Sequence, residues 1–97
     1  MNQVWHPRAE TEFDEAVDYY IVHAGANIGR KFATAVNHTL GLLLEHPAIG
    51  KPTHRQARSF SLQGFPFDLV YRVSTETIII VAMANQSRRP GYWAGRR

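Results

Sequence analysis

The stretch Thr77-Ile78-Ile79-Ile80-Val81-Ala82-Met83-Ala84 constrains the fold of this chain more than any other. It carries no charge and is apolar at odd and even positions alike. A β-strand sends successive side chains to opposite faces. A strand apolar on both faces must lie centrally in a sheet or be covered on both sides. The chain then runs into Ser87-Arg88-Arg89-Pro90-Gly91-Tyr92-Trp93-Ala94-Gly95-Arg96-Arg97, with four arginines and two large aromatics. Guanidinium groups recognise phosphate and carboxylate as planar forks, and aromatic rings offer stacking surfaces. Two readings of this tail stand side by side. It contacts something anionic or aromatic, or Tyr92 and Trp93 fold back onto the core and leave an exposed basic tail.

The rest of the chain supplies partners for that strand. Asn2 to His6 reads as a short strand. Pro7 suits the first turn of a helix, where its missing N–H costs nothing. Glu10, Glu12, Asp14 and Glu15 complement the dipole of that helix. Ala9, Phe13, Ala16, Val17, Tyr20 and Ile21 form its apolar stripe, and Gly25 caps its end. A second helix is predicted with Asn27 as its cap and Ile28, Phe32, Ala35, Val36, Leu40, Leu43 and Leu44 as its stripe. Pro47 stops it. The connection is so short that the helices form an antiparallel hairpin. Gly29 and Gly41 weaken the second helix locally and also allow close approach of another backbone. Residues 47–57, with Pro47, Gly50 and Pro52, read as a loop. Three strands follow, near 57–63, 66–73 and 77–84, joined by turns short enough for an antiparallel meander. In the middle strand Phe67, Leu69, Tyr71 and Val73 face one way, and Asp68, Val70 and Arg72 the other. The fold class is α+β, one domain over 1–97, with both helices on one sheet face. The other face is expected to be partly open and lined by Arg58, Arg72 and the tail.

Composition narrows the chemistry. There is no cysteine, which excludes disulfides, thiol catalysis and cysteine zinc sites and suits a reducing cytoplasm. No run approaches the roughly 18 apolar residues of a membrane span, so no membrane partner is expected. No signal peptide is expected, because charged residues begin at Arg8. His6, His23, His38, His46 and His54 lack zinc-site spacing, and no metal or other cofactor is expected. The net charge of +3 hides a division. Residues 1–45 hold three cations against six anions, or −3, and residues 46–97 hold eight against two, or +6. Such a basic half attracts nucleic acid or an acidic protein.

Four blocks together resemble the RelE/ParE family of type II toxin–antitoxin toxins. They are Phe13-Asp14-Glu15-Ala16-Val17-Asp18-Tyr19-Tyr20, Glu45-His46-Pro47-Ala48-Ile49-Gly50-Lys51-Pro52, Phe65-Pro66-Phe67-Asp68-Leu69-Val70-Tyr71-Arg72, and Arg88-Arg89-Pro90-Gly91-Tyr92-Trp93. The resemblance spans nearly the whole chain. It implies a cytoplasmic toxin, linked to growth inhibition and plasmid stabilisation. A small acidic cognate antitoxin neutralises it, in a hetero-oligomer. RelE-like members are metal-independent, ribosome-dependent mRNA endonucleases. ParE-like members poison DNA gyrase without hydrolysing anything. The acidic first helix and its tyrosine pair look more like the ParE branch.

Each branch implies its own site. Metal-free RNA cleavage needs a base for the ribose hydroxyl, a cation for the phosphate and an acid for the leaving oxygen. The nuclease reading assigns Arg58 and Arg72 to phosphate, with Arg88 or Arg89 beside them, and Tyr92 to proton transfer. Lys51, His54 or Arg55 would supply the missing base. The family's cluster of lysines around the first meander strand is absent, and arginine stays protonated. In the binding reading, Lys51, Arg55, Arg89, Trp93, Arg96 and Arg97 contact the target. Several of these residues also have plainer roles. Arg72 can pair with Asp68 or Glu76, Tyr71 can sit in the core, and Trp5 and Trp93 can pack. Removing 88–97 breaks no predicted strand pairing, so the remainder is expected to fold.

Overall fold

The computed structural model describes residues 1–97. Its elements are β1 (Asn2–Trp5), α1 (Pro7–Ala24), α2 (Ala26–Glu45), β2 (Lys51–Pro52), a 3₁₀ turn (His54–Gln56), β3 (Arg58–Ser61), β4 (Phe67–Val73) and β5 (Thr77–Asn85). The sheet order is β1-β5-β4-β3-β2. β1 runs parallel to β5, with Asn2 opposite Thr77 and Trp5 opposite Ile80. The meander β3-β4-β5 is antiparallel, as its short turns require. β5 is therefore interior, flanked by β1 and β4. Neither helix is long and apolar enough to cross a membrane.

Local chemistry explains the helix ends. His6 caps α1, its Nδ1 accepting from the Arg8 N–H at 3.0 Å, and Pro7 opens the first turn. Gly25, at φ 95°, is the single residue between α1 and α2. A side chain at that φ would be strained. α2 begins two residues earlier than the sequence suggests, with Gly25 and not Asn27 at the cap position. Asn27 lies in its first turn, and the Asn27 side chain accepts from the Arg30 guanidinium instead of capping. The tight link presses the helices together at Gly29, where a Cβ would stand 2.6 Å from Cγ1 of Ile21.

The main core lies between the helices and the sheet. Ala9, Ala16, Phe32, Val36, Leu40 and Leu43 meet Leu69, Tyr71, Ile78, Ile80 and Met83 there. Phe32 packs its ring against Phe65 and Phe67, each with centroids 5.2 Å apart. A fully buried Leu or Phe stabilises by roughly 1.5–3 kcal/mol. Gly29 and Gly41 cost at most about 1 kcal/mol each, so the stripe of α2 outweighs them.

Two departures from the sequence reading matter for the site. The first is a register shift between Val70 and Tyr71: Val70 pairs with Ala82 but Tyr71 with Ile80. Val81 is the extra residue. As a result Ile80 and Met83 enter the main core, whereas Val81 and Ala82 both enter a second cluster. The second departure is that cluster itself. Ala57, Val70, Val81, Ala82 and Ala84 are covered by Trp93, with Ile79, Tyr92 and Ala94 against them. The face expected to be partly open is roofed by the tail. The loop at 47–57 also holds the two-residue strand β2, paired with β3.

Candidate functional site

The tail reaches its place by a series of turns. The Asn85 side chain accepts from the Ser87 N–H at 2.9 Å and the Ser87 hydroxyl at 2.8 Å, which reverses the chain after β5. Main-chain bonds then link Ala94 to Gly91 and Arg96 to Trp93. Trp93 is 4% exposed.

A single carboxylate fastens this roof to the helical layer. Glu12 Oε2 accepts from the Tyr92 hydroxyl at 2.7 Å and from Arg96 Nη2 at 2.9 Å. Glu12 Oε1 accepts from Arg96 Nη1 at 2.8 Å and from the Met83 N–H at 3.1 Å. Arg96 Nη1 also donates to the Val81 carbonyl at 3.0 Å. The Arg88 guanidinium lies 3.9 Å from the centroid of the Tyr92 ring on the outside. Burial by itself would raise the Glu12 carboxyl. The bonds from Arg96 and Tyr92, with the charge of Arg96, outweigh it and hold the carboxyl below its usual range. Burial and the bond to Glu12 push the Tyr92 phenol well up. The bonds that Arg96 itself donates to Glu12 raise the Arg96 guanidinium.

The other expected phosphate forks also serve the protein itself. Arg58 Nη1 donates to the Gly50 carbonyl at 2.7 Å and the Ala48 carbonyl at 3.3 Å. Beside it, the Tyr71 hydroxyl donates to Pro47 O at 2.8 Å and accepts from Gly50 N at 2.9 Å. Tyr71 is a core residue whose one polar atom ties down the loop. Arg72 pairs with neither Asp68 nor Glu76. Its Nε donates to Arg55 O at 3.0 Å, and its Nη1 to Arg96 O at 3.1 Å. Replacing Arg58 with Ala should release residues 47–50. Hydrogen bonds to a charged group contribute about 1.5–3 kcal/mol, so thermal melting should show Tm lower by roughly 6 °C or more. Arg58→Lys should recover part of it. An unchanged Tm would place no structural weight on Arg58.

The residues named for a nuclease do not gather at one place, although Arg88 meets Tyr92 and Arg55 meets Arg72. Arg72 lines one cavity, Arg88 and Tyr92 line another beside α1, and Arg58 points to the 47–50 loop. His54 is exposed and packs its ring edge-on to Trp93, with centroids 6.2 Å apart. Lys51 and Arg89 are exposed. No three His, Asp or Glu side chains gather as metal ligands. Four arginines do converge. Arg55, Arg72, Arg96 and Arg97 line a concavity of about 620 Å³, on a floor formed in part by Ile79. Glu12 was missed as a site residue because its charge suits a helix start. Its position gave a signal, for it lies three residues after Ala9 and four before Ala16, on the buried stripe. A carboxylate there calls for a cation from elsewhere in the chain.

The sequence model of the "ParE toxin of type II toxin-antitoxin system, parDE" matches residues 4–90. Among solved structures, the fold is similar to a chain of the chromosomal ParDE toxin–antitoxin system from P. aeruginosa. The TM-score is 0.77 at 23% identity, covering 88% of this chain and 95% of that one. At that identity the likeness speaks for the fold. Comparison with the curated proteins gives no match. The family match takes in both helices, the second half of β1, the other four strands and the start of the tail, and the chain belongs to the ParE toxin family of type II toxin–antitoxin systems.

Proposed function

We propose that this toxin acts in the cytoplasm by binding DNA gyrase without cutting any substrate, and that a small acidic cognate antitoxin neutralises it. The observation that carries this reading is the closed Glu12–Tyr92–Arg96 cluster. A metal-free nuclease needs a free proton donor and acceptor at one phosphate. Here the Tyr92 proton is committed to Glu12, and Arg58 and Arg72 spend donors on main-chain carbonyls. Arginine cannot act as the base. The family match favours the same branch. For the antitoxin, the +6 half of the chain favours an acidic segment that orders as it binds.

Inducing the protein and following supercoiling, DNA breaks and translation side by side tests the target. Double-strand breaks with intact transcripts are expected. Rapid transcript cleavage would overturn the proposal. Tyr92→Phe sharpens the test. It removes one hydrogen bond, worth about 1 kcal/mol, so growth inhibition at matched soluble protein should persist. A rate loss of roughly 10²-fold or more in transcript cleavage would mark the phenol as an acid–base group. Co-expression with the adjacent small gene should restore growth and give a stable complex.

A further inference from the structure

The arginine-lined concavity has no part in the Glu12 cluster beyond sharing Arg96. Its charges are unusual in one respect. The molecule holds one carboxylate–cation bridge, Arg96 with Glu12. Arg55, Arg72 and Arg97 therefore have no carboxylate within bridging distance. Arg72 is fixed by carbonyl oxygens, which are neutral, so its orientation is set while its charge stays uncompensated. One of those carbonyls belongs to Arg55, which adopts φ 55° and is followed by Gln56 at φ 61°. Non-glycine residues rarely occupy that region. The backbone accepts this cost where it aims the Arg55 carbonyl at Arg72.

The shape indicates the ligand. A second concavity of about 480 Å³, lined by His6, Arg8 and Tyr92, continues from the first and shares Gly95, Arg96 and Arg97 with it. No Asp or Glu side chain lines either. A lone small anion fits an enclosed site, whereas a cationic surface continued through two open concavities matches a chain of phosphates. We infer that the Arg55–Arg72–Arg97 surface grips the phosphodiester backbone of DNA. Arg72 is the fixed fork, and Arg55 and Arg97 are exposed contacts that line the same concavity. The contact reads charge and spacing but no base, because base edges are read by groups placed in a groove. It deepens the gyrase proposal by giving the toxin its own hold on DNA, and it rests on that reading for the choice of DNA as the source of the phosphates.

The test measures anisotropy of a labelled duplex of about 20 base pairs with the purified toxin between about 50 and 200 mM salt. The variant is Arg55→Gln with Arg97→Gln. Both side chains are exposed and make no hydrogen bond within the protein, so the fold is kept. Each lost phosphate contact lowers the salt slope by about 0.9. The wild type should therefore lose about tenfold more affinity than the double variant across that salt range. Lys31→Ala on α2 should match the wild type. Identical slopes for wild type and double variant would overturn the assignment. Displacement of the duplex by inorganic phosphate at concentrations where sodium chloride of equal ionic strength has no effect would assign the pocket to a free anion and also overturn it. Single-stranded RNA of equal length that binds as tightly, and is lost with the same substitutions, would overturn the assignment to DNA. None of these arms contains gyrase. A supercoiling assay with gyrase is scored separately, so failure of DNA binding and failure of the gyrase proposal are told apart.

Discussion

Cutting the chain after Ser87 is expected to abolish folding, not only toxicity. The truncation removes Trp93 from the cluster of Ala57, Val70, Val81, Ala82 and Ala84 and leaves that face of β5 bare. Losing a buried Trp costs about 3–5 kcal/mol. The same cut strips Tyr92 and Arg96 from Glu12, and breaking a buried ion pair from one side costs about 3–5 kcal/mol more. Small domains hold roughly 5–15 kcal/mol in all. The truncated chain should show no cooperative urea transition by circular dichroism. A sharp transition near the full chain's urea midpoint would show that the tail is dispensable to the fold, as its position after the last strand suggests. Trp93→Ala alone should fold but melt roughly 12 °C or more lower.

Glu12→Ala should be strongly destabilising for a polar substitution in the helical layer. The carboxylate accepts four hydrogen bonds, and its side chain is 14% exposed, so water replaces little of what is lost. A loss of about 3 kcal/mol or more is expected. The pH dependence separates charge from packing. The folded-state value of Glu12 lies below its ordinary 4.5, so its contribution is complete above that value. It disappears as pH falls through the depressed value. Wild type and Glu12→Gln should therefore differ most near neutral pH and converge in acid. A constant difference down to strong acid would mean that ionisation plays no part. Tyr92 acts at the other end. Its raised value favours the neutral phenol in the folded state, so its contribution is present below 10 and is lost as pH rises above it.

The helices and the meander could be read directly from the sequence. Pro7, Gly25 and Pro47 punctuate the chain, and apolar spacing changes from a period near 3.6 to a period of 2. Each of these signals is local. The neighbour of β1 was not legible, because Asn2 and Thr77 meet only through the tertiary fold. The bulge at Val81 was hidden because Ile78 to Val81 is apolar in every register. The site was harder still. Arg58 and Arg72 resemble phosphate forks by type. Their donors go to carbonyls of residues 48–55 and 96, and carbonyls leave no mark in a sequence. Trp93 appeared both as a packing residue and as a possible target contact. Its burial follows from the bare face of β5, which needed a cover and had the tail nearest to hand.

The parallel pairing of β1 with β5 also sets the order of events during synthesis. The first strand finds its neighbour only when residues 77–80 exist, and Glu12 finds its partners 80 and 84 residues later. The ends of the chain must meet across nearly its full length, which slows folding relative to helical domains of this size. Ribosomes add about 5–20 residues per second, so a nascent chain spends several seconds without β5. Throughout that interval the helical hairpin has at most the β3–β4 hairpin to rest on, and the two concavities beside the tail do not exist. An interrupted message yields a fragment without either surface, and the toxin's surfaces arise together only when the last turns of the tail have been made.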